Sequence, residues 1–261
     1  MTQSVLRRRA GDVVFWRSLA FNVLFGLQLV VIALATVPVV LFFPRRHVLG
    51  VAKFWCRANL WLLKTVVGIE VEMRGLEHAP HGAALIASKH QSALETFAVV
   101  PFIDDPLFVL KRELTWTPFF GWFLMRLKMI AINRSAGGDA LAQMLAQART
   151  AAADGRQIII YPEGTRRPVG VEPRYKQGIV HLYVELGLPV TPVAIDTGVF
   201  WPRGTLKRRK GRAVIQFLEP IAPGLARADF ERLLRDRIEQ ASNALAAEAT
   251  GADAPGVLQR I

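Results

Sequence analysis

The chain has a single cysteine, Cys56, in 261 residues, so no internal disulfide can form. Its surroundings, Phe54-Trp55 before it and Leu60-Trp61-Leu62-Leu63 after it, are apolar. That is the setting of a buried, inert thiol; a reactive one needs an electropositive and partly exposed site. The lack of disulfides fits a reducing compartment. Familiar motifs are missing too: no G-x-S-x-G elbow, P-loop, H-E-x-x-H or G-x-G-x-x-G occurs. This removes the usual signatures of serine hydrolases, nucleotide-phosphate sites, zinc proteases and dinucleotide folds. His47, His78, His81, His90 and His181 are scattered, and with one cysteine they form no metal constellation. Neither a metal nor a resident cofactor is expected. Acidic residues are scarce, 21 against 33 Lys and Arg, for a formal charge of +12. Such a balance favours an anionic partner, nucleic acid or the anionic face of a membrane. No aromatic-interleaved basic motif accompanies the charge, which argues against nucleic acid. Apolar residues, by contrast, make up 52%, which excludes a disordered chain and tips the choice towards membrane.

The longest uncharged stretch is residues 19–43, LAFNVLFGLQLVVIALATVPVVLFF. As a helix it can cross a hydrocarbon core of ~30 Å. It is too long for a signal peptide and lacks a clear small-residue cleavage site. Arg7, Arg8, Arg9 and Arg17 precede it; Arg45, Arg46, Lys53 and Arg57 follow it. With both flanks positive, the positive-inside bias does not orient a simple span. Two arrangements fit. In one, the helix bends at Pro38 and Pro44 and returns, or dips into one leaflet, and residues 48–67 form an interfacial amphipathic helix. In the other, a single span is followed by an ordinary core helix. Residues 1–67 are thus expected to be a helical membrane anchor and residues 68–261 the folded domain.

From Gly68 the texture becomes that of an α/β domain. Residues 69–73 alternate like a half-buried strand. Short aliphatic runs recur at 83–87, 107–110, 129–132, 158–161, 190–195 and 213–217, each bounded by Gly, Pro or polar residues. Helical patterns lie at 139–153, 178–186 and 228–248. Alternation of this kind predicts an α/β sheet with helices packed on it.

Four polar clusters follow four of these runs. The first is Ser88-Lys89-His90-Gln91-Ser92-Ala93-Leu94-Glu95. His90 stands at the carboxyl end of a predicted strand, the edge where α/β sheets bind ligands. A histidine there can take a proton from an alcohol, and a carboxylate on its other ring nitrogen would fix the tautomer. Glu95 can reach back if His90 lies just before the first helical turn. Equally, Ser92-x-x-Glu95 is a capping box, in which Glu95 would bond a backbone N–H and leave the histidine alone. The second cluster is Tyr161-Pro162-Glu163-Gly164-Thr165-Arg166, where glycine permits close backbone approach and arginine matches phosphate oxygens. The third is Asn133-Arg134 and the fourth Lys111-Arg112. Residues 203–212 (RGTLKRRKGR) form a basic loop that suits a membrane surface or an acidic acyl carrier, or is simply solvated.

In this order the clusters resemble the 1-acyl-sn-glycerol-3-phosphate acyltransferase family, the PlsC-type lysophosphatidate acyltransferases. The resemblance covers residues 71–219. His90 matches the histidine of the family's H-x4-D motif, Asn133-Arg134 the end of its second motif, and Glu163-Gly164-Thr165-Arg166 its E-G-T-R motif. Val190-Thr191-Pro192-Val193-Ala194-Ile195 is similar to its apolar fourth motif. Two positions depart: Glu95 replaces the aspartate, one methylene longer, and Asn133 replaces an acidic residue. The resemblance implies a mixed, largely parallel sheet flanked by helices. It implies that His90 with Glu95 activates the acceptor hydroxyl, which attacks the acyl thioester directly. It also implies that Arg134, Glu163, Gly164, Thr165 and Arg166, with Lys111 as an addition, bind the glycerol phosphate. The expected product is phosphatidic acid from lysophosphatidic acid, with acyl-CoA or acyl carrier protein as donor and an anionic membrane as surroundings. The expected location is the cytoplasmic face of a bacterial inner membrane. Another lysophospholipid or a lipid amine is the alternative acceptor, and a non-catalytic lipid-binding module the alternative outside the enzymes.

Overall fold

The computed structural model describes residues 3–133 and 137–251, with side chains from residue 13 onward. Helix α1 (Gln3–Ala35) carries the apolar stretch; Val13–Ala35 is long and apolar enough to cross a membrane, and only 17% of its most apolar window is buried inside the protein. Pro38 lies in the first turn of the short helix α2 (Val37–Phe42), where a missing N–H costs nothing. Pro44 then caps α3 (Arg45–Leu62) in extended geometry. Helix α3 runs back along α1. Phe25 and Trp55 meet edge to face at 5.4 Å. Arg17 Nε donates to Val66 O at 2.6 Å, just past the end of α3. The chain therefore turns at α2 and returns along α1, with Cys56 of α3 in the core. Arg45, at the far end, is neutralised by a bidentate pair with Asp105 at 2.5 Å.

The α/β part is built on strands β1 (Ile69–Arg74), β2 (Ala84–Ser88), β3 (Pro106–Lys111), β4 (Ile130–Ile132), β5 (Gln157–Ile160), β6 (Val190–Ile195) and β7 (Gly211–Phe217). They form one sheet in the order β1-β7-β6-β2-β5-β3-β4, parallel except where β6 meets β7. The central strands read as continuous apolar runs because both faces are covered. Ile86 and Ile159 face a cluster with Phe21, Cys56 and Leu63 of the N-terminal helices and with Leu94 and Phe97. Leu85, Ala87, Ile158 and Ile160 point the opposite way, as the two-residue period requires. They pack on α6 (Gly137–Ala153), α7 (Gly178–Leu186) and α9 (Arg227–Thr250) through Met144, Ala148, Val180 and Phe230. Each fully buried Ile or Leu here contributes about 1.5–3 kcal/mol. Three short helices went unread as helices in the sequence or were placed only loosely: α4 (Leu94–Ala98), α5 (Phe120–Arg126) and α8 (Thr197–Phe200).

Candidate active site

Strands β2, β5, β3 and β4 are contiguous neighbours and run parallel. The described residues of the four polar clusters thus emerge side by side along one carboxyl edge. His90 follows β2 by two residues. Its Nδ1 lies 2.8 Å from Glu95 Oε1, and the same oxygen accepts the backbone N–H groups of Gln91 (2.8 Å) and Ser92 (2.7 Å). The capping role and the histidine contact, which the sequence posed as alternatives, are made by one oxygen atom. Glu95 Oε2 accepts the hydroxyl of Thr197 at 2.7 Å, from the first turn of α8. Glu95 is wholly buried, while the His90 side chain keeps 16% of its surface open. Since the carboxylate accepts, Nδ1 carries the proton, which leaves the Nε2 lone pair free to take another. Among the described residues none hydrogen-bonds Nε2. Tyr161, the first residue after β5, stacks on the imidazole at 4.1 Å; burial and the charge of Glu95 hold its phenol well above the usual range.

Glu163 ties the first cluster to the second. The family pattern places it among the substrate ligands, but its carboxylate is turned inward and 1% exposed. Oε2 accepts the His90 backbone N–H at 2.9 Å, and Oε1 accepts Lys89 Nζ at 3.3 Å. Lys89, also buried, donates to both oxygens of Glu239 on α9, at 2.8 and 2.7 Å. Burial raises the Glu163 carboxyl, and Lys89 partly offsets this. Removing one member of such a network leaves an uncompensated buried charge, at about 3–5 kcal/mol. The loop is further fixed by Arg167 N donating to His90 O at 2.8 Å. Gly164 sits at φ +64, where any side chain is strained.

The remaining candidates fall at the same edge. Lys111 ends β3 in register with Ile132 of β4, so Asn133 stands just beyond it. Arg134 lies outside the described residues. Arg203 of the basic loop donates to Thr165 Oγ1 (3.2 Å) and to Arg166 O (3.0 Å), which fastens the loop after β5 from outside. The basic loop is therefore not merely solvated. Arg208 within it is 4% exposed, sits 3.9 Å from the Trp201 ring centroid, and donates to Asn22 Oδ1 of α1 at 2.6 Å. Burial without an acidic partner lowers its guanidinium to about 10. Cys56 is buried, its thiol pushed up to about 12, as its apolar surroundings implied. Among the described residues no group of His, Cys, Asp and Glu is arranged to hold a metal ion. Sequence reasoning missed Thr197, Lys89, Glu239 and the Arg203 contact. Thr197 and Glu239 lie far along the chain from His90 and carry no local signal; Lys89 adjoins the histidine, and a lysine so close to a buried strand was the one available hint.

A histidine–carboxylate pair thus stands on the carboxyl edge of a mostly parallel sheet, beside a half-buried, arginine-bearing loop. Residues 70–196 match the family model described as Acyltransferase. A 1-acyl-sn-glycerol-3-phosphate acyltransferase of Pseudomonas aeruginosa is 46% identical over 153 residues, 59% of this chain and 60% of that protein. A 1-acyl-sn-glycerol-3-phosphate acyltransferase alpha of Homo sapiens is 28% identical over 185 residues, 70% of this chain and 65% of that one. The crystal structure of the LPA acyltransferase PlsC from Thermotoga maritima is similar with a TM-score of 0.71 at 20% identity, covering 92% of this chain and 98% of that chain. At that identity the likeness is one of fold, and it bears out the mixed, largely parallel sheet. The chain spans about three fifths of the length of the curated relatives it matches.

Proposed function

We propose that this chain is a membrane-bound acyltransferase that moves a fatty acyl group from a thioester to the sn-2 hydroxyl of lysophosphatidic acid, giving phosphatidic acid. The observation that carries the reading is the 2.8 Å contact between His90 Nδ1 and a fully buried Glu95, in a histidine whose side chain keeps 16% of its surface open. In the reaction the acceptor hydroxyl gives its proton to Nε2 while its oxygen attacks the thioester carbonyl carbon. The tetrahedral oxyanion collapses, the C–S bond breaks, and the departing thiolate takes the proton back from the imidazolium. Glu95 holds the ring and stabilises the imidazolium without itself being protonated. Direct transfer agrees with the other nucleophiles: Cys56 is buried and held as the thiol, and Ser92 Oγ is buried, accepting the Leu94 N–H at 3.2 Å. In this reading Arg166, Thr165 and Gly164 bind the acceptor phosphate, joined by Lys111 and Arg134, and Glu163 shapes their loop from behind. Among the described residues no carboxylate pairs with Arg166 or Lys111, which leaves both guanidinium and ammonium available to an anion.

The membrane part of the proposal rests on the outer face of the N-terminal helices. Val23, Leu27, Val31, Leu34 and Phe42 are each more than half exposed, a patch that a soluble monomer does not maintain. A lysolipid chain would stay in lipid throughout, which avoids ~0.8 kcal/mol per CH₂ withdrawn into water. The proposed setting is a bacterial inner membrane with the site on its cytoplasmic face, and acyl-CoA or acyl carrier protein as donor. The test is release of free thiol from each donor by the full chain in vesicles, with and without acceptor. Thiol release that depends on lysophosphatidate, and that falls sharply with a phosphate-free lysolipid, is expected. Equal rates on the two acceptors would remove the phosphate role of Arg166; no acceptor-dependent thiol from either donor would overturn the enzyme reading.

A further inference from the structure

The connection from β3 to β4 has a surface that the proposed chemistry does not use. Between Glu113 and Arg126 it reads LTWTPFFGWFLM, with no charged residue. Leu114, Trp116, Trp122 and Met125 are 43%, 66%, 45% and 56% exposed. The backbone is held in the shape that presents them. Phe119 takes φ +62, rare for a residue with a side chain. Gly121 approaches Thr115 so closely that a Cβ there would lie 2.1 Å from the Thr115 carbonyl oxygen. The inner side of this segment is locked to α2. Phe123 and Leu127 pack with Val40 and Val48, and Arg126 donates to the carbonyls of Val40 (2.6 Å) and Phe43 (2.7 Å). Leu41 and Phe42 beside those carbonyls are 60% and 80% exposed. The apolar outer face of the N-terminal helices therefore continues onto the α/β part. Its rim is basic: Lys111, Arg112, Arg126 and Lys128 stand against the single acid Glu113, and the Arg112 guanidinium lies 5.6 Å from the Trp116 ring centroid. Tryptophans at an apolar boundary flanked by cations have the chemistry of an anionic lipid–water interface.

We propose that this aromatic shelf is a second lipid-contacting surface, seated in the interfacial layer of an anionic phospholipid bilayer, and that it sets the β3–β4 edge, with Lys111, at headgroup depth. It rests on the membrane association proposed above. The test uses the full chain bound to phosphatidylcholine–phosphatidylglycerol vesicles whose phosphatidylcholine chains carry bromine, a short-range quencher. Variants keep one tryptophan each: Trp116, Trp122, or Trp16 as the reference on α1. Quenching of Trp116 and Trp122 comparable to that of Trp16, with protection from aqueous iodide, is the expected result. Trp16 quenched by bromolipid while Trp116 and Trp122 answer only to iodide would overturn the shelf and leave the anchor standing. Shelf tryptophans shielded from both quenchers would also overturn it, and would point to a second copy of the chain as the cover. A chain that fails to float with vesicles overturns membrane association itself and the shelf with it. Should the single-tryptophan chains not fold, the Trp116→Phe/Trp122→Phe variant retains the other four. Its bromolipid-quenchable share of emission must then drop, and an unchanged share contradicts the proposal.

Discussion

Glu95 reconciles two demands that a shorter acid meets less easily. One of its oxygens caps the turn through Gln91 and Ser92 and orients His90; the other reaches Thr197. The added methylene, about 1.5 Å of reach, lets the carboxylate span from the β2 turn to α8. In the proposed mechanism Thr197 is thus a positioning residue for His90, acting through Glu95. Thr197→Val removes this donor to Oε2 at nearly constant shape. Hydrogen bonds to charged groups are worth about 1.5–3 kcal/mol, so kcat should fall about tenfold or more with acceptor KM little changed. Thr197→Ser, which keeps the hydroxyl, should restore kcat. A serine variant as impaired as the valine one would reduce Thr197 to packing. The His90–Glu95 contact was legible because its cluster is contiguous and follows a strand. Thr197 was not, because it meets Glu95 across 102 positions of chain.

At the level of elements, the strands were legible from runs of branched aliphatic residues bounded by breakers, and α6, α7 and α9 from their 3.6-residue period. Helices α4 and α8, of 5 and 4 residues, are too short to display a period. Strand direction was not legible either, since nothing local announces that β7 runs against β6. That junction has its own clamp. Asp196, just after β6, accepts the Val214 N–H of β7 at 2.6 Å and is 1% exposed. Burial raises its carboxyl to about 7, with the backbone donors only partly opposing. The folded state therefore binds a proton that the unfolded chain releases near pH 4. Stability from this group is fully present below about pH 4 and is lost as pH rises towards 7. Asp196→Asn keeps an acceptor but cannot titrate. Thermal unfolding midpoints followed from pH 4 to 7 should therefore decline more steeply in the wild type than in this variant. Parallel curves would contradict the assignment.

Across the whole molecule, the N-terminal helices are not an appendage on a self-sufficient domain. Phe21, Cys56, Leu63 and Val67 share one buried cluster with Leu94, Phe97, Ile159 and Ile215, and Arg208 pins the basic loop to α1. Deleting residues 1–67 would bare one face of the sheet. The truncated chain is expected to aggregate or to lose its cooperative unfolding transition; a soluble, cooperatively folded monomer would show that the sheet closes without the helices. The sequence revealed the apolar length of this region and its two basic flanks, but not its return path. That path depends on long-range contacts such as Arg45 with Asp105 and Arg17 with Val66. The same helices pack on Leu94 and Phe97 of α4, the helix that carries Glu95, which in the proposed reading joins anchor and chemistry in one body. The most direct measurement is the turnover of His90→Ala beside the wild type, both in vesicles with lysophosphatidate and an acyl thioester. With membrane binding and the unfolding midpoint unchanged, acyl transfer should disappear into background. Undiminished transfer by the alanine variant would contradict the account at its centre.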